Sequence, residues 1–147
     1  MRPLLLAARF LWALPASVVG VFLGVASLAE PRYDEGRVVF EGTKGYLWVL
    51  RKVGFTAQTW GQVILAHGRL HPVLRAHERE HVRQWTTWGP LFAIAYHAEG
   101  LRGLVLRRGY YGGNLFERRA RAVEEAFAAR LAYASGSKPT ENSASRS

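Results

Sequence analysis

The stretch from Val73 to Trp88, VLRAHEREHVRQWTTW, decides how this chain is read. It contains no glycine or proline, follows Pro72 and stops at Gly89 and Pro90, so one helix of about four turns is expected. In its middle stand His77, Glu78 and His81. Side chains four residues apart leave the same face of a helix. Both imidazoles can therefore reach one tetrahedral cation, with the adjacent glutamate beside it to take a proton from a bound water. With five histidines in 147 residues, such an arrangement arises by chance at about 1%. The competing reading is a solvated helix laced by salt bridges, suggested by the charged pair Arg79 and Glu80 inside the motif.

Two histidines and a water leave one protein ligand to be found. Gln84 and Thr87 stand where an extended HExxHxxGxxH pattern would need glycine and a third histidine, and the chain has no cysteine, so a carboxylate is expected. Asp34, the only aspartate, lies close to the amino-terminal apolar run, and Glu99 lies beyond the Gly89-Pro90 break. Glu117 and Glu124 fall on neighbouring faces of a later helix. Glu117 is preferred because it sits in the first turn of a helix that Asn114 can cap, where a carboxylate is electrostatically favoured; Glu124 is the reserve. Tyr110, Tyr111 and His97 are candidate donors to a developing oxyanion. Gln84 and Arg83 are candidates for orienting the ligands from behind.

Working outward, residues 37 to 67 carry the short runs VVF, YLWVL and QVILA, separated by Gly42, Gly45, Gly54 and Gly61. These read as a small antiparallel meander of three or four strands. Leu91 to Leu106 is a second apolar helical segment, too short and too polar at His97, Glu99 and Arg102 to cross a bilayer. It is expected to lie against the sheet or at a membrane surface. After a loop rich in glycine and tyrosine, Leu115 to Tyr133 reads as a third helix. The expected fold class is α+β: a small antiparallel sheet, the HExxH helix and a supporting third helix. The absence of cysteine excludes a disulfide framework and a thiolate metal site. The length excludes a large barrel or doubly wound sheet.

At the amino terminus, Arg2 and Arg9 precede an uncharged run, FLWALPASVVGVFLGVASLA, from Phe10 to Ala29. It reads as a single membrane-spanning helix, with signal cleavage near Ala29 and, after that, a buried helix of the fold as the alternatives. The expected organisation is an anchor or signal over 1–29, a metal-binding domain over 30–134 and a disordered tail over 135–147. Localisation at the cell membrane as a single-pass protein follows, with membrane lipid and a peptide or protein substrate as partners. The net charge of +9 is spread along the chain. With no dense basic run and no recognised nucleic-acid motif, nucleic-acid binding is not expected.

The string HEREHVRQW, with TWGPLFAIAYHAEGL and YYGGNLFERRA after it, resembles a group of small bacterial proteins. That group has an amino-terminal LWALP membrane segment, an HExxHxRQ motif and a downstream NPFEREA-like block. The resemblance covers Leu11 to about Ala122, and departs from the group's pattern at Leu115, where proline is usual. It implies a zincin-like, minimal gluzincin core, with His77, His81 and Glu117 as zinc ligands and Glu78 as general base. Two functions are therefore expected as alternatives. One is a membrane-anchored zinc metallopeptidase that hydrolyses peptide bonds with zinc-activated water. The other is a non-enzymatic membrane-associated module that binds a metal or a partner.

Overall fold

A computed structural model describes residues 2–136, with side chains from Phe10 onward. Nine elements follow in order: α1 (Arg2–Ala26), β1 (Glu30–Asp34), β2 (Arg37–Gly42), α2 (Gly45–Lys52), β3 (Ala57–Trp60), β4 (Val63–His67), α3 (Pro72–Trp88), α4 (Leu91–Val105) and α5 (Leu115–Ala134). The fold is α+β. From residue 137 onward, the tail expected from the sequence lies outside the described residues.

The sheet is mixed rather than antiparallel. Its order is β1-β2-β4-β3, and β2 pairs with β4 in parallel, Val39 opposite Ile64 and Phe40 opposite Leu65. Parallel neighbours need a crossover, and α2 with β3 provides it. The expected strand YLWVL is this helix α2. Leu47 and Leu50, three apart, are its buried residues, while Trp48 and Val49 between them are exposed. That is helical spacing, which five apolar residues in a row conceal.

Side-chain alternation divides the strands between two cores. Val39, Ile64 and Ala66 face α3, packing with Leu70 and Val82. Phe40, Val63 and Leu65 point to the opposite side, against Leu47 and Leu50 of α2 and Leu23 of α1. Because β4 is covered on both faces, it reads as an unbroken apolar run. A third cluster joins Trp85 of α3, Phe92 of α4, Phe116 of α5 and Ala16 of α1. It forms the floor beneath the candidate site.

The amino-terminal helix requires the largest correction. Among the described residues no helix is long and apolar enough to cross a membrane, so the single-pass placement expected from the sequence does not hold. The physical reason lies in the face α1 presents to the rest of the chain. Ala13, Ala16, Gly20, Gly24 and Ser27 are buried, and Ser17 Oγ accepts a hydrogen bond from the Gln62 backbone N–H at 3.0 Å. The uncharged part of α1, residues 10 to 26, is only about 25 Å long, short of a bilayer core of about 30 Å. Gly24 lies so close to Phe40 that a Cβ there would collide with its ring. The small residues recur at helical spacing because sheet and helix α3 press against them.

The segment after α3 packs as α4 against α3 and α5. Phe92, Gly100 and Gly103 are its buried positions. Gly100 admits the Tyr110 ring, which a Cβ would exclude. The loop between α4 and α5 thereby closes over α4 and delivers the chain to Asn114.

Candidate metal centre

His71 caps α3, its Nδ1 accepting from the Val73 N–H at 3.3 Å, and Pro72 occupies the first turn. Helical register then brings the rings of His77 and His81 together, 4.8 Å between centroids, with their Nε2 atoms 3.1 Å apart. The helix is not the solvated rod of the competing reading, since Glu78, Glu80, His81, Gln84 and Trp85 are all buried.

Glu117 is brought to the pair by a set of backbone clamps at the start of α5. Asn114 is fully buried. Its Oδ1 caps the helix by accepting from the Phe116 N–H at 3.0 Å, and its Nδ2 donates to the Tyr96 carbonyl at 2.9 Å. From α3, Gln84 Nε2 donates to the Phe116 carbonyl at 3.1 Å. The first turn of α5 is thus tied to both α3 and α4, while Phe116 inserts between Phe92 and Trp88. Glu117, the next residue, then projects at the histidines. Its Oε1 lies 3.2 Å from His81 Nε2 and its Oε2 lies 3.7 Å from His77 Nε2.

These spacings suit one tetrahedral ion. Ligand atoms about 2.0–2.1 Å from a zinc ion, at tetrahedral angles, lie about 3.3–3.4 Å from each other. His77, His81 and Glu117 form the one such group of donors among the described residues. Burial would raise the Glu117 pKa, but His81 and Tyr96 at its carboxylate outweigh burial and hold it at about 2. Burial likewise opposes charge on His81, yet the carboxylates of Glu117 and Glu78 turn the net shift upward.

The outer side of each ring is engaged as well. Glu124 Oε2 lies 3.0 Å from His77 Nδ1, and Gln84 Oε1 lies 2.9 Å from His81 Nδ1. The Gln84 amide is oriented by its Nε2, which donates to Phe116 and toward Glu80, so its oxygen accepts from His81. Both Nδ1 atoms therefore carry the proton in the neutral rings. What remains is three acceptors converging on one point: two Nε2 lone pairs and the Glu117 carboxylate. Glu124, the reserve ligand in the sequence reading, is placed behind His77 rather than at that point.

Glu78 is buried and lines the same cavity, which measures about 460 Å³. Its Oε2 accepts from Thr59 Oγ1 at 2.6 Å, leaving Oε1 without this donor. Thr59 belongs to β3, and Trp85 Nε1 donates to its carbonyl at 3.1 Å, fixing the strand to α3. Of the candidate oxyanion donors, His97 and Tyr110 hydrogen-bond to one another, and Tyr111 lies edge-on to Phe55 at 5.8 Å. All three line the cavity. The sequence reading passed over Thr59, and also Tyr96, whose hydroxyl donates to Glu117 Oε1 at 2.6 Å. Tyr96 stands four residues after Phe92 in an apolar helix, and a buried phenol needs a partner; that need was its only sequence signal.

Asp34, Glu80 and Glu99 are committed elsewhere. Asp34 accepts from Arg79 at 3.0 Å and pairs with Arg75 at 3.4 Å. Burial would raise its pKa, but these two arginines hold it below the usual carboxylate value. The unusual Arg79 inside the motif is thus a strut from α3 to the end of β1. Glu80 accepts from Arg83 Nε at 2.7 Å, and Glu99 from Arg102 Nε at 3.0 Å. Arg83 acts on Glu80, not on either histidine. No protein-family model, no curated protein and no solved structure matches this chain.

Proposed function

We propose that the chain is a zinc-dependent peptidase with a gluzincin-like ligand set, the ligand set that the resemblance to the HExxHxRQ group implies. The observation that carries it is the convergence of His77 Nε2, His81 Nε2 and Glu117 on one point while both Nδ1 atoms are occupied outward. Three acceptors facing each other in a mostly buried site repel unless a proton or a metal cation sits among them, and the spacing accommodates a metal.

His77, His81 and Glu117 would hold the ion. Bound there, zinc supplies Lewis-acid polarisation of a carbonyl and acidifies a water ligand. The chain's own groups do the rest. Glu78 takes the proton on Oε1, because Oε2 is already satisfied by Thr59. Thr59 holds that carboxylate in one orientation. Glu124 and Gln84 keep both Nε2 lone pairs inward. Strand β3 pairs with β4 on one side alone, and its residues Ala57 to Trp60 line the cavity. An extended peptide can add to such an edge through its backbone groups.

The test is hydrolysis of a mixed peptide library by the zinc-loaded full chain, read by mass spectrometry. Glu78→Gln is expected to abolish cleavage while zinc stays bound. Unchanged turnover in that variant would remove Glu78 from the base role, and no cleavage by wild type with zinc bound would overturn the peptidase reading.

A further inference from the structure

The cavity that holds the metal group in its wall has a further lining that the general peptidase reading leaves unused. Phe55, Trp60, Trp85, Phe92, Tyr96 and Tyr111 contribute aromatic walls to it. The chain carries 20 lysines and arginines, yet among the described lining residues there is none. The only acids there are Glu78 and Glu117, both assigned to the chemistry. A divalent cation at the site would cancel their two formal charges, leaving no net charge to pair with a charged group entering beside them. At about 460 Å³, the space lies in the range of sites that enclose a ligand, about 300–1,000 Å³.

We infer that this cavity is a specificity pocket for a peptide residue with a large uncharged apolar side chain, aromatic or branched aliphatic. The inference rests on the peptidase reading for its substrate class, but its carrier is different: walls of aromatic carbon without a counter-charge. An apolar side chain gains by leaving water for such walls. A carboxylate or ammonium would lose its hydration and meet no partner of opposite charge on the aromatic side. The wall farthest along β3 from Trp60 is the contact of Phe55 with Tyr111, where strand start and α4–α5 loop meet edge to face. Tyr111 is 42% exposed on that loop, so it can be exchanged without opening the core.

The experiment uses acetylated, amidated hexapeptides that differ at one central position: leucine, phenylalanine, aspartate or lysine. Calorimetry measures the binding of their cleavage-resistant, backbone-N-methylated forms to the zinc-loaded wild-type chain, and mass spectrometry measures cleavage of the unmodified peptides by the same chain. Leucine and phenylalanine peptides are expected to bind and react about a hundredfold better than the charged ones. Tyr111→Arg is expected to narrow the gap to the aspartate peptide at least tenfold, with zinc content unchanged. Equal binding of all four peptides to the zinc-loaded chain, or no binding of the apolar pair, overturns the inference. Apolar preference in binding without any cleavage overturns the peptidase reading and leaves the pocket assignment standing; cleavage without preference does the reverse.

Discussion

Glu124 Oε2 lies 3.0 Å from Nδ1 of His77, on the far side of the ring from the Nε2 that meets His81. Under the proposed zinc reading, the pair is a carboxylate backing a ligand histidine: it fixes the tautomer and raises the basicity of the inward nitrogen. Glu124→Ala is expected to weaken zinc affinity by about 10–100-fold without abolishing it. Competition against a chromophoric chelator measures this, and an unchanged affinity would show that the contact has no bearing on the site.

Thr59 and Glu78 form the second pair that can be tested in isolation. The hydroxyl donates to a buried carboxylate at 2.6 Å, and bonds to charged groups contribute about 1.5–3 kcal/mol. Thr59→Val should therefore destabilise the chain by about that amount in urea unfolding. Combined with Glu78→Leu, which removes the charge, the further cost should largely vanish. Additive losses would mean that the two side chains do not interact.

Gly24 distinguishes a packed α1 from one that faces lipid. A methyl at this position meets the Phe40 ring, so Gly24→Ala is expected to cost about 1–3 kcal/mol through overpacking. In a helix free of that contact, the same change would stabilise by about 1 kcal/mol through helix propensity. The sign of the shift in thermal unfolding decides between them.

Asp34 links stability to pH. Its carboxyl is held below the ordinary aspartate value of 3.8 by Arg79 and Arg75, against the opposing effect of burial. The folded state therefore binds this proton less readily than the unfolded chain. The stabilisation is complete above the unfolded value and is lost as pH falls through the folded one. Asp34→Asn should cost about 2 kcal/mol near neutral pH, with the difference from wild type shrinking as pH falls below 3.8. A penalty independent of pH would place the effect outside the carboxylate's charge.

The parts of the site legible in the sequence were those set by local periodicity. His77 and His81 needed only the helical repeat, and Glu117 followed from a capping asparagine three residues before it. Features that depend on which distant segment lies opposite were not legible. YLWVL is helical because Leu47 and Leu50 face the sheet, and a run of five apolar residues carries no period of its own. The parallel pairing of β2 with β4 joins strands 25 residues apart, Val38 with Val63. The role of α1 was partly written in Ala13, Ala16, Gly20 and Gly24, a stripe of small residues at helical spacing. Its apolar partner face, with Leu11, Val18 and Phe22 exposed, dominated the reading instead. Tyr96 reaches Glu117 only once α4 folds back, and Arg79 reads as a solvent charge until Asp34 is beside it.

The central claim is that His77, His81 and Glu117 hold one zinc ion. Equilibrium dialysis of the metal-stripped full chain against buffered zinc, with elemental analysis of the protein, tests it most directly. One zinc per chain is expected in wild type, with occupancy lost in His77→Ala and Glu117→Ala variants that unfold cooperatively. Wild type without stoichiometric zinc, or zinc retained equally in both variants, would contradict the account.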